Sequence, residues 1–408
     1  MNTELFIDML QIDSTSGRER TFADFLAERL QTPHCRVERF DVMSMAGDAP
    51  EGVGCPQNLL FSWGEPRVLF CTHLDTVPPY IAPTLLADPS SLSNTSSHNI
   101  EDSSKNLDGQ CARNCEAEGR GNLQSTISGR GTCDAKGQIF AMYEACLELE
   151  RRGYDGFGLL LLAGEETGSL GAKAFRDAHP GAEWVVVGEP TDNCMASAAK
   201  GTKSFEVTFT GEAFHSGYPQ YGNSAILMFN DFVNALRSIG FPQDEILGDT
   251  TWNIGKLSSD NPQNILSDKL SCRVYFRTTF ESDEMVCNIM KNIAGPEARL
   301  RFGRPKVQDG SDIVAKEVAP WQKAMSVVAF GGDSPTKFEV LDGFPSKPVA
   351  FGSDAPQLTN CPRKILCGPG SILVAHRDNE YIALADLEVA VENYVKIYEQ
   401  LRPVSILD

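Results

Sequence analysis

A chain of 408 residues exceeds an ordinary single domain, and 41% hydrophobic residues are enough to bury a sizeable core, so two domains are expected. The formal net charge of -19 argues against a nucleic-acid partner, because phosphate recognition needs clustered Lys and Arg, which this sequence concentrates nowhere. Acidity instead fits solubility, with a carboxylate-built metal site contributing some of the charge.

The opening residues, MNTELFIDMLQIDSTSGRER, carry acidic side chains early and no basic region followed by an apolar stretch, so no signal peptide is expected. No run approaches the roughly 18 to 20 apolar residues of a membrane span, so no membrane partner is expected either. The twelve cysteines are scattered through apolar segments such as VLFCT and ILCGPG, which points to a reduced cytoplasmic protein rather than a disulfide scaffold. Cys111 and Cys115 lie close together in a polar stretch, but no second pair accompanies them as a metal site would require.

In chain order, the turn cluster Ser14-Thr15-Ser16-Gly17 precedes a predicted helix over Thr21 to Leu30. Val68 to Cys71, Gly158 to Ala163 and Trp184 to Val187 are short apolar runs of buried-strand type. Helices are predicted between them over Lys136 to Glu150 and Gly168 to Ala178, and the alternation implies an α/β fold with a largely parallel sheet covered on both faces. Asp88 to Ser125 is rich in Ser, Asn, Asp, Glu and Gly and reads as a surface insertion unable to bury enough apolar surface to fix a conformation.

From Lys203 the pattern changes. Strands are predicted over Ser204 to Phe209, Trp252 to Leu257, Leu270 to Thr278 and Ala298 to Phe302, with helices over Ala225 to Ile239 and Glu281 to Ile293. This β-α-β-β-α-β order is that of a ferredoxin-like unit, so residues 198–304 are predicted as a domain inserted between 1–197 and 305–408. The chain closes on a predicted helix, Leu384 to Leu401.

Five places could carry chemistry. In VLFCTHLDTVP an apolar strand runs into His73, and Asp75 two residues on points to the same side if the strand continues. A metal-ligating imidazole usually donates its second N–H to such a partner, although a surface histidine after a strand gives the same pattern. Asp134, in GRGTCDAKGQ, precedes a helix and suits an N-cap as well as a ligand. Glu165 and Glu166, in LLLLAGEETGSLGA, are adjacent carboxylates at a strand end, where a cation would relieve their repulsion; solvent-facing first-turn glutamates are the alternative. Glu189 follows the apolar run of VVVGEPT, and His376 follows the Gly-Pro-Gly turn of CGPGSILVAHRDNEYI. Ligands of open α/β sheets gather beyond the carboxyl ends of the strands, and two histidines with three carboxylates suit a pair of divalent metals. Mixed nitrogen and oxygen ligation favours zinc, with cobalt or manganese as substitutes. His34, His98 and His179 have polar or loop contexts and receive no role.

The succession HLDTVPP, GRGTCDAKG, GEETGSLGA, VGEPT, AFHSGYPQYGNSA and GPG…AHRDNEY resembles the ordered motifs of the di-zinc family of acetylornithine deacetylase, succinyl-diaminopimelate desuccinylase, aminoacylase and carboxypeptidase G. By that resemblance His73 and Glu189 hold one zinc, Glu166 and His376 the other, and Asp134 bridges them. Glu165 is then the general base that takes a proton from the attacking water and returns it to the leaving amine, and Asp75 orients His73. The family's peptide after the bridging aspartate is cis, so a cis Asp134–Ala135 bond is expected.

The inserted domain resembles a dimerisation lid whose histidine, here His215, reaches the partner's site and stabilises an oxyanion. Asn264 and Arg277 match positions that bind the substrate carboxylate and its neighbours, with Lys200, Thr202 and Ser353 as further substrate contacts. Glutamate at 189 resembles the deacetylase and desuccinylase branch, so an N-acyl amino acid is the expected substrate, as in arginine biosynthesis. Dipeptidase, aminopeptidase and carboxypeptidase activities are the alternatives, and a non-catalytic binding protein of the same fold is a third.

Overall fold

The computed structural model describes residues 1–43, 54–86, 125–300 and 318–402. All of the 88–125 insertion except Ser125 therefore lies outside the described residues, as do Cys111, Cys115 and His98. The chain divides into two compact units, 1–197 with 337–349 and 353–408, and 198–336 with 350–352.

In the first unit the strands are β1 (Arg36–Asp41), β2 (Gln57–Trp63), β3 (Val68–His73), β4 (Thr84–Leu86), β5 (Thr126–Ser128), β6 (Phe157–Leu162) and β7 (Trp184–Val187). A large sheet has the order β1-β2-β6-β3-β7-β15, where β15 is Arg363–Leu366. Its centre is parallel, since β3 pairs in parallel with both β6 and β7, and β15 pairs in parallel with β7. The flank of β2 and β1 is antiparallel. VLFCTH and FGLLLL are buried at every residue, the continuous apolar pattern of strands covered on both faces. In β6, Leu159 and Leu161 join the main core while Leu160 and Leu162 point the other way and are equally buried.

The helices of this unit are α1 (Thr3–Leu10), α2 (Glu19–Arg29), α3 (Lys136–Arg151), α4 (Leu170–Ala178) and the C-terminal Leu384–Leu401. Helix α3 packs on β3, β6, α1 and the C-terminal helix. Leu149, Leu387, Tyr394 and Ile397 bury there with Phe70 and Phe140. Two smaller sheets complete the strands: β16 (Tyr381–Ala383) pairs with β5 and β5 with β4, while β8 (Met195–Ala199), β13 (Thr336–Lys337) and β14 (Ser346–Val349) run in the order β13-β8-β14.

The second unit has β9 (Gly201–Thr210), β10 (Thr251–Ser258), β11 (Lys269–Thr278) and β12 (Met325–Gly331), in the fully antiparallel order β10-β11-β9-β12. Burial alternates along β9 and β11, so Phe205, Val207, Phe209, Val274 and Phe276 face one side. They meet Met228, Phe232 and Leu236 of α5 (Ala225–Arg237), Val286 and Met290 of α6 (Asp283–Asn292), and Trp321 of the short α7 (Pro320–Lys323). The ferredoxin-like order stands, with two corrections. Residues 298–300 are not a strand, and the fourth strand is β12, so the unit continues to 336 rather than ending at 304. The physical reason is pairing: β9 needs a neighbour on its second edge, and Met325 to Ala329 supply it opposite Phe209 to Phe205. The C-terminal helix, Leu384–Leu401, is α8 and spans the predicted residues. Among the described residues no helix is long and apolar enough to cross a membrane, and the described cysteines form no disulfide with one another.

Candidate metal centre

The carboxyl ends of the parallel strands deliver the candidate ligands. His73 is the last residue of β3, beside Leu162 at the end of β6, and Gly164 turns the chain into Glu165 and Glu166. Strand β7 ends at Val187, two residues before Glu189. Asp134 arrives on the turn before α3, and its peptide to Ala135 is cis. Gly137 makes that turn possible, because a Cβ there would lie 2.3 Å from the Thr132 carbonyl oxygen. The loop after β15 brings His376 back past Gly370, whose φ of 76° is left-handed and where a Cβ would meet Cys133 Sγ at 2.6 Å.

The arrangement centres on the Asp134 carboxylate. One oxygen lies 2.9 Å from His73 Nε2 and the other 3.2 Å from His376 Nε2. His376 Nε2 also lies 2.9 Å from Glu166 Oε1. Ligand atoms of His73, Asp134 and Glu166 all fall within 4.8 Å of one another, the crowding a cation between them would require. Asp134, His73 and Glu189 are nearly wholly buried, whereas His376 is partly open to solvent.

His73 is held by a different atom than the spacing suggests. Its Nδ1 donates to the backbone carbonyl of Asp75 at 2.9 Å, while the nearest Asp75 carboxylate oxygen is 3.6 Å away. Either acceptor orients Nε2 toward Asp134, so it is the nitrogen that would bind a metal once its proton is displaced. The Asp75 carboxylate turns instead to the next strand end. It accepts from the peptide N–H groups of Glu165 and Glu166 at 3.0 and 3.2 Å and from Ser16 Oγ at 2.9 Å. Asp75 thus fixes the glutamate turn as well as the histidine.

Electrostatics mark the cluster as short of positive charge. Burial pushes the Glu165 carboxyl well above the usual carboxylate range, and repulsion from Glu189, Asp354 and Glu166 adds to this against the attraction of His73. Glu189 is pushed up in the same way, by burial first and then by Asp134, Asp354 and Glu166. Hydrogen bonds to Asp134 and Glu166 hold the His376 imidazolium up to about 10. Burial works against a charged His73, yet its bonds to Asp134 and Asp75 outweigh that and its pKa is raised well above the ordinary value. Protons on the imidazoles here do the balancing that divalent cations would do among so many carboxylates. The donor set of two imidazoles and adjacent buried carboxylates fits a divalent-metal pair.

The remaining predicted residues are distributed between the units. Ser353 lies in the first, buried, its Oγ accepting from the Ala355 N–H at 3.3 Å. In the second unit, Arg277 on β11 is in register with Thr202 on β9. The Thr202 hydroxyl accepts from the Asp333 N–H at 3.0 Å, so it also has a structural task. Lys200 Nζ donates to the Asp249 carbonyl, and burial lowers its pKa. His215 is exposed and bridges to Ile265, next to Asn264, whose carbonyl accepts from the Ser216 N–H at 2.9 Å. Unpredicted residues also belong to the first unit's site: Ser16, Asp354, Arg130 and Glu380. Only Arg130 had a visible signal, a long cation set between two glycines of GRG.

An open α/β sheet with paired imidazoles and carboxylates beyond its strand ends, joined to a ferredoxin-like unit, defines the two-unit metallohydrolase class. The chain belongs to peptidase family M20/M25/M40, whose model matches residues 114–400. It is accordingly a metal-dependent hydrolase acting on peptide bonds or linear amides. A probable carboxypeptidase of Aspergillus niger is 31% identical over 416 residues, covering 96% of this chain and 88% of the relative. The fold is similar to that of a tripeptidase from Staphylococcus aureus, with TM-score 0.69, 18% identity and 98% of each chain covered. It is also similar to an M20 family metallo-carboxypeptidase from Sulfolobus solfataricus, with TM-score 0.64, 15% identity, 98% of this chain and 100% of that chain covered.

Proposed function

We propose that this protein is a metallo-carboxypeptidase that removes the C-terminal residue of short peptides. The observation that carries this reading is the Asp134 carboxylate divided between His73 and His376, in a chain 31% identical to a probable carboxypeptidase across 96% of its length. His73 and Glu189 would hold one cation and Glu166 and His376 the other, with Asp134 shared between them. Zinc is the preferred metal, with cobalt or manganese able to substitute. When bound, two such cations polarise the scissile carbonyl and lower the pKa of the attacking water.

Glu165 is the general base. Burial and neighbouring carboxylates raise the proton affinity of its carboxylate, so the ionised form, which adjacent cations would favour, can accept the proton of water and pass it to the leaving amine. Asp75 holds the Glu165 turn and His73 together. Arg277 clamps the substrate carboxylate through its planar fork, with Asn264, Lys200, Thr202 and Ser353 around the substrate. His215 stabilises the oxyanion across a homodimer formed through the second unit, a role that requires a dimer in solution.

A second reading is an N-acyl amino-acid deacylase of acetylornithine type, favoured by Glu189 within VGEPT. Both substrates place an amide beside a free carboxylate, so the metal centre serves either. The test is a hydrolysis panel of di- and tripeptides, their C-terminally amidated forms, acetylornithine and other acetylated amino acids, with zinc or cobalt added. Release of the C-terminal residue from free but not amidated peptides is expected. Turnover confined to acetylated amino acids would replace this reading by the second.

A further inference from the structure

A buried ion pair lies directly behind the metal centre. Arg130 is 1% exposed and Glu380 0%, and they meet at 2.7 Å between Nη1 and Oε2. Arg130 also donates from Nε to the Pro79 carbonyl at 3.2 Å and from Nη1 to the Arg377 carbonyl at 3.1 Å. The second Glu380 oxygen accepts from the peptide N–H groups of Cys133 and Asp134, at 2.9 and 3.1 Å. Three segments are tied at one point, those that follow His73, precede Asp134 and follow His376.

Stability alone is a poor reason for this pair. Desolvating two charges offsets much of their attraction, and an apolar pair of similar volume commonly does as well. What an apolar pair lacks is an acceptor for two consecutive peptide N–H groups. One of these belongs to the residue whose carboxylate spans the two imidazoles. That carboxylate reaches His73 and His376 at 2.9 and 3.2 Å, and rotating the peptide that carries it would lose one of them.

We propose that Glu380 is a positioning residue that, held by Arg130, clamps the Cys133 and Asp134 peptide N–H groups and so sets the affinity of this centre for a divalent cation. The inference rests on the reading of His73, Asp134 and His376 as metal ligands. Its test is cation binding, independent of any substrate. Zinc affinity is measured on the full chain by competition with a chromophoric chelator, and the visible spectrum of the cobalt-loaded protein reports the geometry.

Glu380→Ala is expected to weaken zinc binding about 10- to 100-fold and to alter the cobalt spectrum, with the circular dichroism of the fold retained. Glu380→Gln keeps an oxygen for the two N–H groups but turns an amide donor toward Arg130. Adding Arg130→Met removes that conflict, so the double variant is expected to bind zinc about tenfold more tightly than Glu380→Ala. Wild-type affinity in Glu380→Ala overturns the proposal, and so does a double variant no better than Glu380→Ala. If Glu380→Ala does not fold, the double variant is compared with wild type, and a loss beyond about 100-fold overturns the proposal. Failure of both to fold also overturns it, because the pair is then structural only. A wild-type protein that takes up no zinc or cobalt removes the ligand reading itself, whereas wild-type binding with unchanged variants removes only the clamp.

Discussion

Substitution separates the proposed base, Glu165, from the proposed support, Asp75. Glu165→Gln preserves shape but cannot accept the water's proton, so kcat should fall about 10²- to 10⁴-fold while metal content and thermal stability stay near wild type. Full activity in that variant would remove Glu165 as the base. Asp75→Asn retains one acceptor oxygen and faces the Glu165 and Glu166 N–H groups with a donor, so a loss of about 1.5–3 kcal/mol is expected in denaturant unfolding. Glu19 adds a pH signature. Burial and the charge of Asp75 push its carboxyl up to about 7, from an ordinary value of 4.5. Between those values the folded state binds more protons than the unfolded chain, so this group's contribution falls as pH rises. Glu19→Gln should therefore gain stability over wild type in chelator at pH 8, by at most about 3 kcal/mol, and converge with it below pH 4.5. A difference that grew toward acid pH would contradict that sign.

At the scale of elements, legibility followed burial. Trp184 to Val187 was predicted to the residue because a central parallel strand is apolar throughout and ends abruptly. Strand β12 escaped because it is an edge strand, mostly exposed after Met325, and lacks an alternating pattern. ARLRF offered a short alternation closer to α6 and drew the prediction to 298–302. The spacing of His73 and Asp75 correctly marked a contact, but not which Asp75 oxygen makes it, since that depends on the backbone path of the loop. Arg130 and Glu380 lie far apart in the chain, and only the fold makes them partners. Helix α3 gives a sharper test than any side chain: Gly137→Ala sets a methyl against the Thr132 carbonyl oxygen and should destabilise by about 1–3 kcal/mol. The same variant should lose metal affinity, because the displaced turn carries Asp134.

At the scale of the molecule, every proposed ligand belongs to the first unit. A cation at 100 times its dissociation constant adds about 2.7 kcal/mol to that unit, so chelation should lower its melting temperature by about 5–10 °C. Trp63 and Trp184 report on this unit and Trp252 and Trp321 on the other, so variants that keep one pair can assign the shift. An unchanged melting temperature on chelation would argue against a cation centre. The order of the ligands along the chain has a further consequence during synthesis. His73, Asp134, Glu166 and Glu189 emerge before the inserted unit and His376 after it. At about 5–20 residues per second, the ribosome needs on the order of ten seconds or more between the fourth ligand and the fifth. Through that interval the nascent protein displays a carboxylate-rich half-site lacking the imidazole that would close it, while the main stretch of the second unit, 198–336, emerges. Catalytic competence is thus deferred until the stretch beyond the inserted unit has emerged.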